Sequence, residues 1–181
     1  MQLKANFELL NIILQTERLY TRVLGLNDEE AVARMYSDID VMRYVGGGGT
    51  IPKEHVLKSI ERWIEYQSKF GFSNWAVVKN DDNKFTGMCG FNWLPDNSDI
   101  EISYTFDKPY WGKGYATEIA GGTLKYGFEK LGLKRVAGLV YPQNLQSIKV
   151  LKKIGMKYEK DVSYWNALLH LFSVSKPETF L

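Results

Sequence analysis

Gly112, Lys113 and Gly114 lie in the stretch Asp107-Lys-Pro-Tyr-Trp-Gly-Lys-Gly-Tyr-Ala-Thr-Glu118, between a run that reads as a strand and one that reads as a helix. Those residue types at that place make an anion site. The first turn of a helix carries backbone N–H groups without intrahelical partners and the positive end of the helix dipole. Gly112 and Gly114 remove Cβ atoms where a phosphate would approach the main chain, and they tolerate positive φ; Lys113 adds a mobile positive charge. Two common phosphate loops do not match. A Walker A loop requires Ser or Thr after its Gly-Lys, where Gly114 stands, and the dinucleotide fingerprint requires Gly or Ala where Thr117 stands. Other chemistry is sparse. His55 and His170 have no Cys or carboxylate at ligand spacing, so no metal site is expected and both read as structural or surface residues. Cys89, the single cysteine, lies in the apolar run Thr86-Gly-Met-Cys-Gly-Phe91 and reads as a buried, inert thiol.

The elements that must position the loop follow from periodicity. Ile100-Glu-Ile-Ser-Tyr-Thr-Phe106 alternates at period two, in a strand from Asp99 to Phe106. Ala116, Ile119, Ala120, Thr123, Leu124, Gly127, Phe128 and Leu131 recur at helical spacing, which predicts a helix from Gly114 to about Leu131. Asn74–Lys79 and Phe85–Phe91, separated by the turn-forming Asn80-Asp-Asp-Asn83, predict a hairpin, so three successive antiparallel strands lead into the loop. The helix is long enough to recross the sheet to Arg135–Tyr141 in a right-handed parallel connection. Upstream, Thr16–Val23 reads as a first strand, and Asn27 with Glu30 as the cap of a short helix through Tyr36, with Val32, Met35 and Tyr36 as its apolar side. The run Gly46–Gly49 cannot hold regular structure and reads as a mobile or sharply turned loop. A helix from Pro52 then presents Val56, Ile60, Trp63, Ile64 and Gln67 on one face until Gly71 ends it. Asn144 is a good N-cap for a helix closed by Gly155, and Leu168–Ser173 is the last apolar strand.

With 181 residues, 45% of them apolar and 14% aromatic, the chain is expected to form one domain, residues 1–181, with a real core. The fold class is α/β (α+β): a mixed, mostly antiparallel sheet with a central β-α-β crossover and flanking helices. A net charge of +2, spread without basic blocks, points to neither nucleic acid nor a membrane surface as partner. The apolar patch Leu9–Leu14 is interrupted by Asn11 and has no small-residue cleavage site after it, so no signal peptide is read there; with no disulfide and no stretch approaching the roughly 20 apolar residues of a membrane span, a cytoplasmic setting is expected. Oligomeric state is left open, a homodimer included.

The loop resembles motif A of the GNAT N-acetyltransferases, Gln/Arg-x-x-Gly-x-Gly/Ala, here Trp111-Gly-Lys-Gly-Tyr-Ala116 with Trp in place of the usual Gln or Arg. Trp-Gly-Lys-Gly-Tyr-Ala-Thr-Glu118, the opening Thr16-Glu-Arg-Leu-x-x-Arg22 and Glu101-Ile-Ser-Tyr104 are similar to the RimJ/RimL branch. Asn144, Ser147, Leu151 and Gly155 match the family's Asn-x-x-Ser-x-x-x-(Leu/Tyr)-x-x-x-Gly pattern. The resemblance is densest from residue 99 to 156 and extends more weakly from about residue 16 to Ser173.

The resemblance implies acetyl-CoA as co-substrate, its pyrophosphate on the amides of Trp111, Gly112, Lys113, Gly114, Tyr115, Ala116 and Thr117. It implies pantetheine lying along the main chain of Tyr104, Thr105 and Phe106 like an added strand, and Asn144 and Ser147 at the thioester end. It further implies transfer to a primary amine, a protein N-terminal α-amine or a small amine or polyamine, by direct transfer in a ternary complex. An ammonium with an ordinary pKa near 10 is mostly protonated at neutral pH, so a base must accept a proton, directly or through water. Glu101 is the candidate, the alternative being a strand glutamate on a solvated face. Relatives that protonate the leaving thiolate with a tyrosine have it where this chain has Leu151, which leaves Ser147 as the hydroxyl for that task. Glu118 reads as a structural first-turn carboxylate. The competing reading is a non-catalytic acyl-CoA-binding module on the same fold.

Overall fold

The computed structural model describes residues 12–177; residues 1–11, with the first half of the apolar N-terminal patch, and 178–181 lie outside the description. Among the described residues, eight strands form one sheet: β1 Ile12–Gln15, β2 Leu19–Arg22, β3 Asn74–Lys79, β4 Phe85–Trp93, β5 Ile100–Phe106, β6 Arg135–Val140, β7 Lys157–Tyr164 and β8 Ala167–Ser175. The helices are α1 Glu29–Ser37, α2 Ile39–Met42, α3 Lys53–Phe70, α4 Tyr115–Glu129 and α5 Leu145–Lys153. The strand order is β1-β2-β3-β4-β5-β6-β8-β7, and every neighbouring pair is antiparallel except β5 and β6. This is the mixed, mostly antiparallel sheet with a β-α-β crossover through α4.

Alternation along the central strands sends side chains into two cores. Trp75 and Val77 of β3, Cys89 and Phe91 of β4 and Ile102 of β5 pack against Ile119 and Leu124 of α4 and Leu151 of α5. Ala76, Val78 and Met88 face the other way, onto Val32 and Met35 of α1 and Val56, Ile60 and Trp63 of α3. Because both faces are covered, these strands read as continuous apolar runs. Pro52 precedes α3 as expected, Gly71 ends it in the left-handed region at φ 75°, and Gln67 accepts a hydrogen bond from Trp75 Nε1 at 2.8 Å.

The sheet is incomplete at one place. β4 pairs β5 without interruption from Gly87↔Phe106 to Trp93↔Ile100, whereas the β5–β6 ladder consists of the one pair Glu101↔Ala137. Beyond Glu101, β5 has a neighbour on one side only. The two parallel strands diverge there into a cleft.

Several expectations are corrected. Asn27 does not cap α1; it lies in a 3-10 turn, Leu26–Asp28, where the Asp28 carboxylate accepts the Gly25 N–H at 2.8 Å while paired with Arg22 at 2.7 Å. An ion-paired carboxylate one residue on takes the local N–H instead. The first strand is shorter, Leu19–Arg22, and pairs with β1, which the sequence reading passed over as part of the N-terminal patch. β7 was not foreseen either. Lys157-Tyr-Glu-Lys-Asp-Val-Ser-Tyr164 is an edge strand paired with β8 alone and exposed along most of its length, so it lacks the one-sided alternation that marks a strand. The short α2, capped by the Asp38 carboxylate on the Asp40 N–H at 2.9 Å, was also missed.

Candidate active site

The loop after β5 is shaped by two glycines in the left-handed region, Gly112 at φ 73° and Gly114 at φ 80°, the second standing immediately before α4. A Cβ at Gly112 would meet nothing within 4 Å, so at that position the glycine serves backbone conformation and approach from solvent rather than internal packing. Trp111, the departure from the usual Gln or Arg, donates its indole N–H to the Phe106 carbonyl at 2.7 Å and ties the loop to the end of β5. Asp107, buried, pairs with Arg34 of α1 at 3.1 Å and anchors the same turn.

Glu118 is structural, as its first-turn place suggests. Its carboxylate accepts Thr16 Oγ1–H at 2.7 Å, the Arg18 N–H at 2.8 Å and Arg18 Nε at 2.6 Å. Burial pulls this carboxyl upward, but the Thr16 and Arg18 hydrogen bonds outweigh it and hold its pKa below the usual value. Arg18 in turn donates to the Lys113 carbonyl at 3.0 Å, with its guanidinium 4.7 Å from the Tyr115 ring centroid. A clamp between the β1–β2 turn and α4 thus fixes the loop backbone.

Between β5 and β6 the cleft encloses about 720 Å³ and is lined by Glu101, Tyr104, Thr105, Phe106, Trp111, Gly112, Gly114, Tyr115, Ala116, Thr117, Asn144 and Ser147, among others. Every sequence-predicted site residue but one therefore meets there. Lys113 does not line it; its Nζ lies 5.6 Å over the Tyr110 ring.

Asn144 Oδ1 accepts the Ser147 N–H at 3.1 Å and caps α5, and Gly155 ends the turn after that helix at φ 89°. Leu151 is buried in the core. The phenol absent from position 151 comes instead from β5: Tyr104 OH is 2.8 Å from Ser147 Oγ and 3.2 Å from the Ser147 carbonyl. When Tyr104 donates to Oγ, the serine proton is left free for the cleft. Burial raises the Tyr104 pKa against the opposing Ser147 hydrogen bond, so the phenol stays protonated at working pH.

Glu101 sits where the β5–β6 ladder ends. Burial raises its pKa from 4.5 to about 8, opposed by a hydrogen bond from the Leu139 N–H. It lines the cleft and also a second cavity of about 420 Å³ on the opposite face of the sheet, walled by α1, α3 and the Gly46–Gly49 loop. Side chains at 101 and 103 point to that face, those at 102 and 104 to the α4–α5 face, by strand alternation. The glycine loop is pinned by Tyr141 OH, which donates to the Gly46 carbonyl at 2.9 Å, and by Trp165 at the tip of the β7–β8 hairpin. Cys89 is fully buried, with its thiol pushed up to about 12, and takes no part.

Residues 18–157 match the family model described as an acetyltransferase (GNAT) domain. A Bacillus subtilis protein named as an uncharacterized N-acetyltransferase, YoaA, is 30% identical over 173 residues, covering 91% of this chain and 97% of its own. Among solved structures, a GNAT-family acetyltransferase from Bacillus anthracis superposes with a TM-score of 0.77 at 30% identity, over 90% of this chain and 97% of its own. RimL, a ribosomal α-N-protein acetyltransferase solved in complex with coenzyme A, has a TM-score of 0.78 at 15% identity over 91% and 97%, a likeness of fold.

Proposed function

The chain belongs to the GNAT acetyltransferase family, and from that premise we propose that it moves the acetyl group of acetyl-CoA to a primary amine by direct transfer in a ternary complex. The carrying observation is Glu101: one carboxyl, with pKa near 8, common to the cleft between β5 and β6 and to the cavity across the sheet. Donor and acceptor enter from opposite faces and meet at that residue. The co-substrate suits the cleft, because Gly112 and Gly114 open the main chain at the start of α4 and β5 has no partner strand on its β6 side from Tyr104 to Phe106. When bound, it supplies an activated thioester whose thiolate leaves readily.

The protein's own part is positioning and proton management. Backbone amides from Trp111 to Thr117 hold the pyrophosphate, with Lys113 adding charge from outside the cleft. The main chain of Tyr104, Thr105 and Phe106 holds the pantetheine arm, and Asn144 orients the first turn of α5. Glu101 accepts a proton from the amine, directly or through water. A base with pKa near 8 is a better proton acceptor for an amine than an ordinary carboxylate. Ser147 Oγ, held by Tyr104, donates toward the leaving sulfur. The motifs around residues 16, 101 and 111 favour the RimJ/RimL branch, with an N-terminal α-amine or a small amine as acceptor and a cytoplasmic setting.

The test is release of free thiol from acetyl-CoA against a panel of amines and N-terminal peptides, with mass spectrometry of the acceptor. Acetylated amine in stoichiometry with thiol is expected. Thiol release without an acetylated acceptor would contradict transfer.

A further inference from the structure

The acceptor-side cavity carries two charged residues among those described, and they lie on different walls. Glu101 is on the sheet and Arg62 on α3. Arg62 makes no ion pair with any carboxylate among the described residues. Its charge acts on Tyr36 of α1: burial raises that phenol's pKa and Arg62 pulls it back. Thr50 and Ser59 line the cavity with it, the Ser59 hydroxyl donating to the His55 carbonyl at 3.2 Å. The helical side therefore carries one positive charge, on Arg62, with no ion-pair partner among the described residues.

The sheet side differs. Asn92 Nδ2 donates to Ser103 Oγ at 3.0 Å, and Ser103 Oγ–H donates to Asn74 Oδ1 at 2.6 Å. That chain consumes one amide's donor and the other's acceptor. It leaves the pair with an acceptor, Asn92 Oδ1, and donors, Asn74 Nδ2, which match the N–H and C=O of a peptide group.

We infer that the acceptor is a short peptide or amino acid carrying a free carboxylate as well as its amine, the amine at Glu101 and the carboxylate at Arg62. The inference rests on the acetyl-transfer reading above and narrows its acceptor. A polyamine would bring a second positive charge to Arg62 and be disfavoured; a guanidinium and a carboxylate form charge-assisted, often bidentate hydrogen bonds.

The experiment compares kcat/KM for a dipeptide, the same dipeptide as its C-terminal amide, and spermidine, in the wild type, Arg62→Gln and Arg62→Glu. Arg62 is on the exposed side of α3, and thermal melts of each variant verify folding. The wild type should prefer the carboxylate form over the amide by about 10- to 100-fold. Arg62→Gln should bring that ratio close to one, and Arg62→Glu should turn the preference toward spermidine. A wild type that favours the amide or spermidine, or a ratio unchanged in Arg62→Gln, overturns the inference and leaves acetyl transfer standing. No acetylation of any of the three overturns both.

Discussion

At the scale of the residue, Ser147 and Tyr104 form one unit. The phenol reaches Ser147 from the neighbouring strand, occupying both its hydroxyl and its carbonyl oxygen within hydrogen-bond range. If Ser147 assists the departing sulfur, Ser147→Ala should lower kcat more than it raises the KM for acetyl-CoA. Tyr104→Phe, which keeps the ring and removes only the orienting hydroxyl, should shift kcat in the same direction by less, about 3- to 10-fold, since a neutral hydrogen bond contributes about 0.5–1.5 kcal/mol. Equal, small effects on kcat and KM in both variants would leave the pair a packing role. The serine was legible from its place in Asn-x-x-Ser. Its partner was not, because the sequence suggested only a main-chain role for Tyr104, and which strand residue faces α5 depends on the three-dimensional crossing.

At the scale of the element, the loop-to-α4 junction was legible in detail because glycine identities and helical spacing are local signals. Its bracing was not: Arg18 and Glu118 meet only when the β1–β2 turn is laid beside α4, and no periodicity announces that. Gly114 has φ 80°, where a β-branched side chain is strongly disfavoured. Gly114→Val should therefore displace the loop and abolish acetyl-CoA binding by calorimetry, while the two cores, neither of which includes Gly114, keep a cooperative melt. Wild-type affinity in that variant would remove the loop from co-substrate binding. The strands with both faces covered were readable as apolar runs, and β7 was not, since an exposed edge strand has no apolar face to betray it.

At the scale of the whole molecule, the sheet opens at Glu101 and the cores on its two faces are separate, so this carboxyl lies where two cavities meet. Sequence marked the residue as a strand carboxylate; its burial and the Leu139 contact arise only when β6 lies alongside. That placement has a stability cost. Native Glu101 titrates near 8 and the unfolded chain near 4.5, so its contribution to stability is full below about pH 4.5 and is lost as pH rises through 8. Glu101→Gln should accordingly raise Tm most at pH 9 and little at pH 4. A gain of about 5 kcal/mol at the alkaline end corresponds to about 10–20 °C for a chain of this size. A Tm difference independent of pH would contradict the shifted pKa. Kinetics test the central claim most directly: kcat and KM for the acceptor from about pH 6 to 10 in wild type and Glu101→Gln. The wild type should show kcat/KM rising with an inflection near pH 8, and the Gln variant should lose about 10²- to 10⁴-fold in rate together with that inflection. A Gln variant with unchanged kcat across the range would show that Glu101 accepts no proton in the reaction.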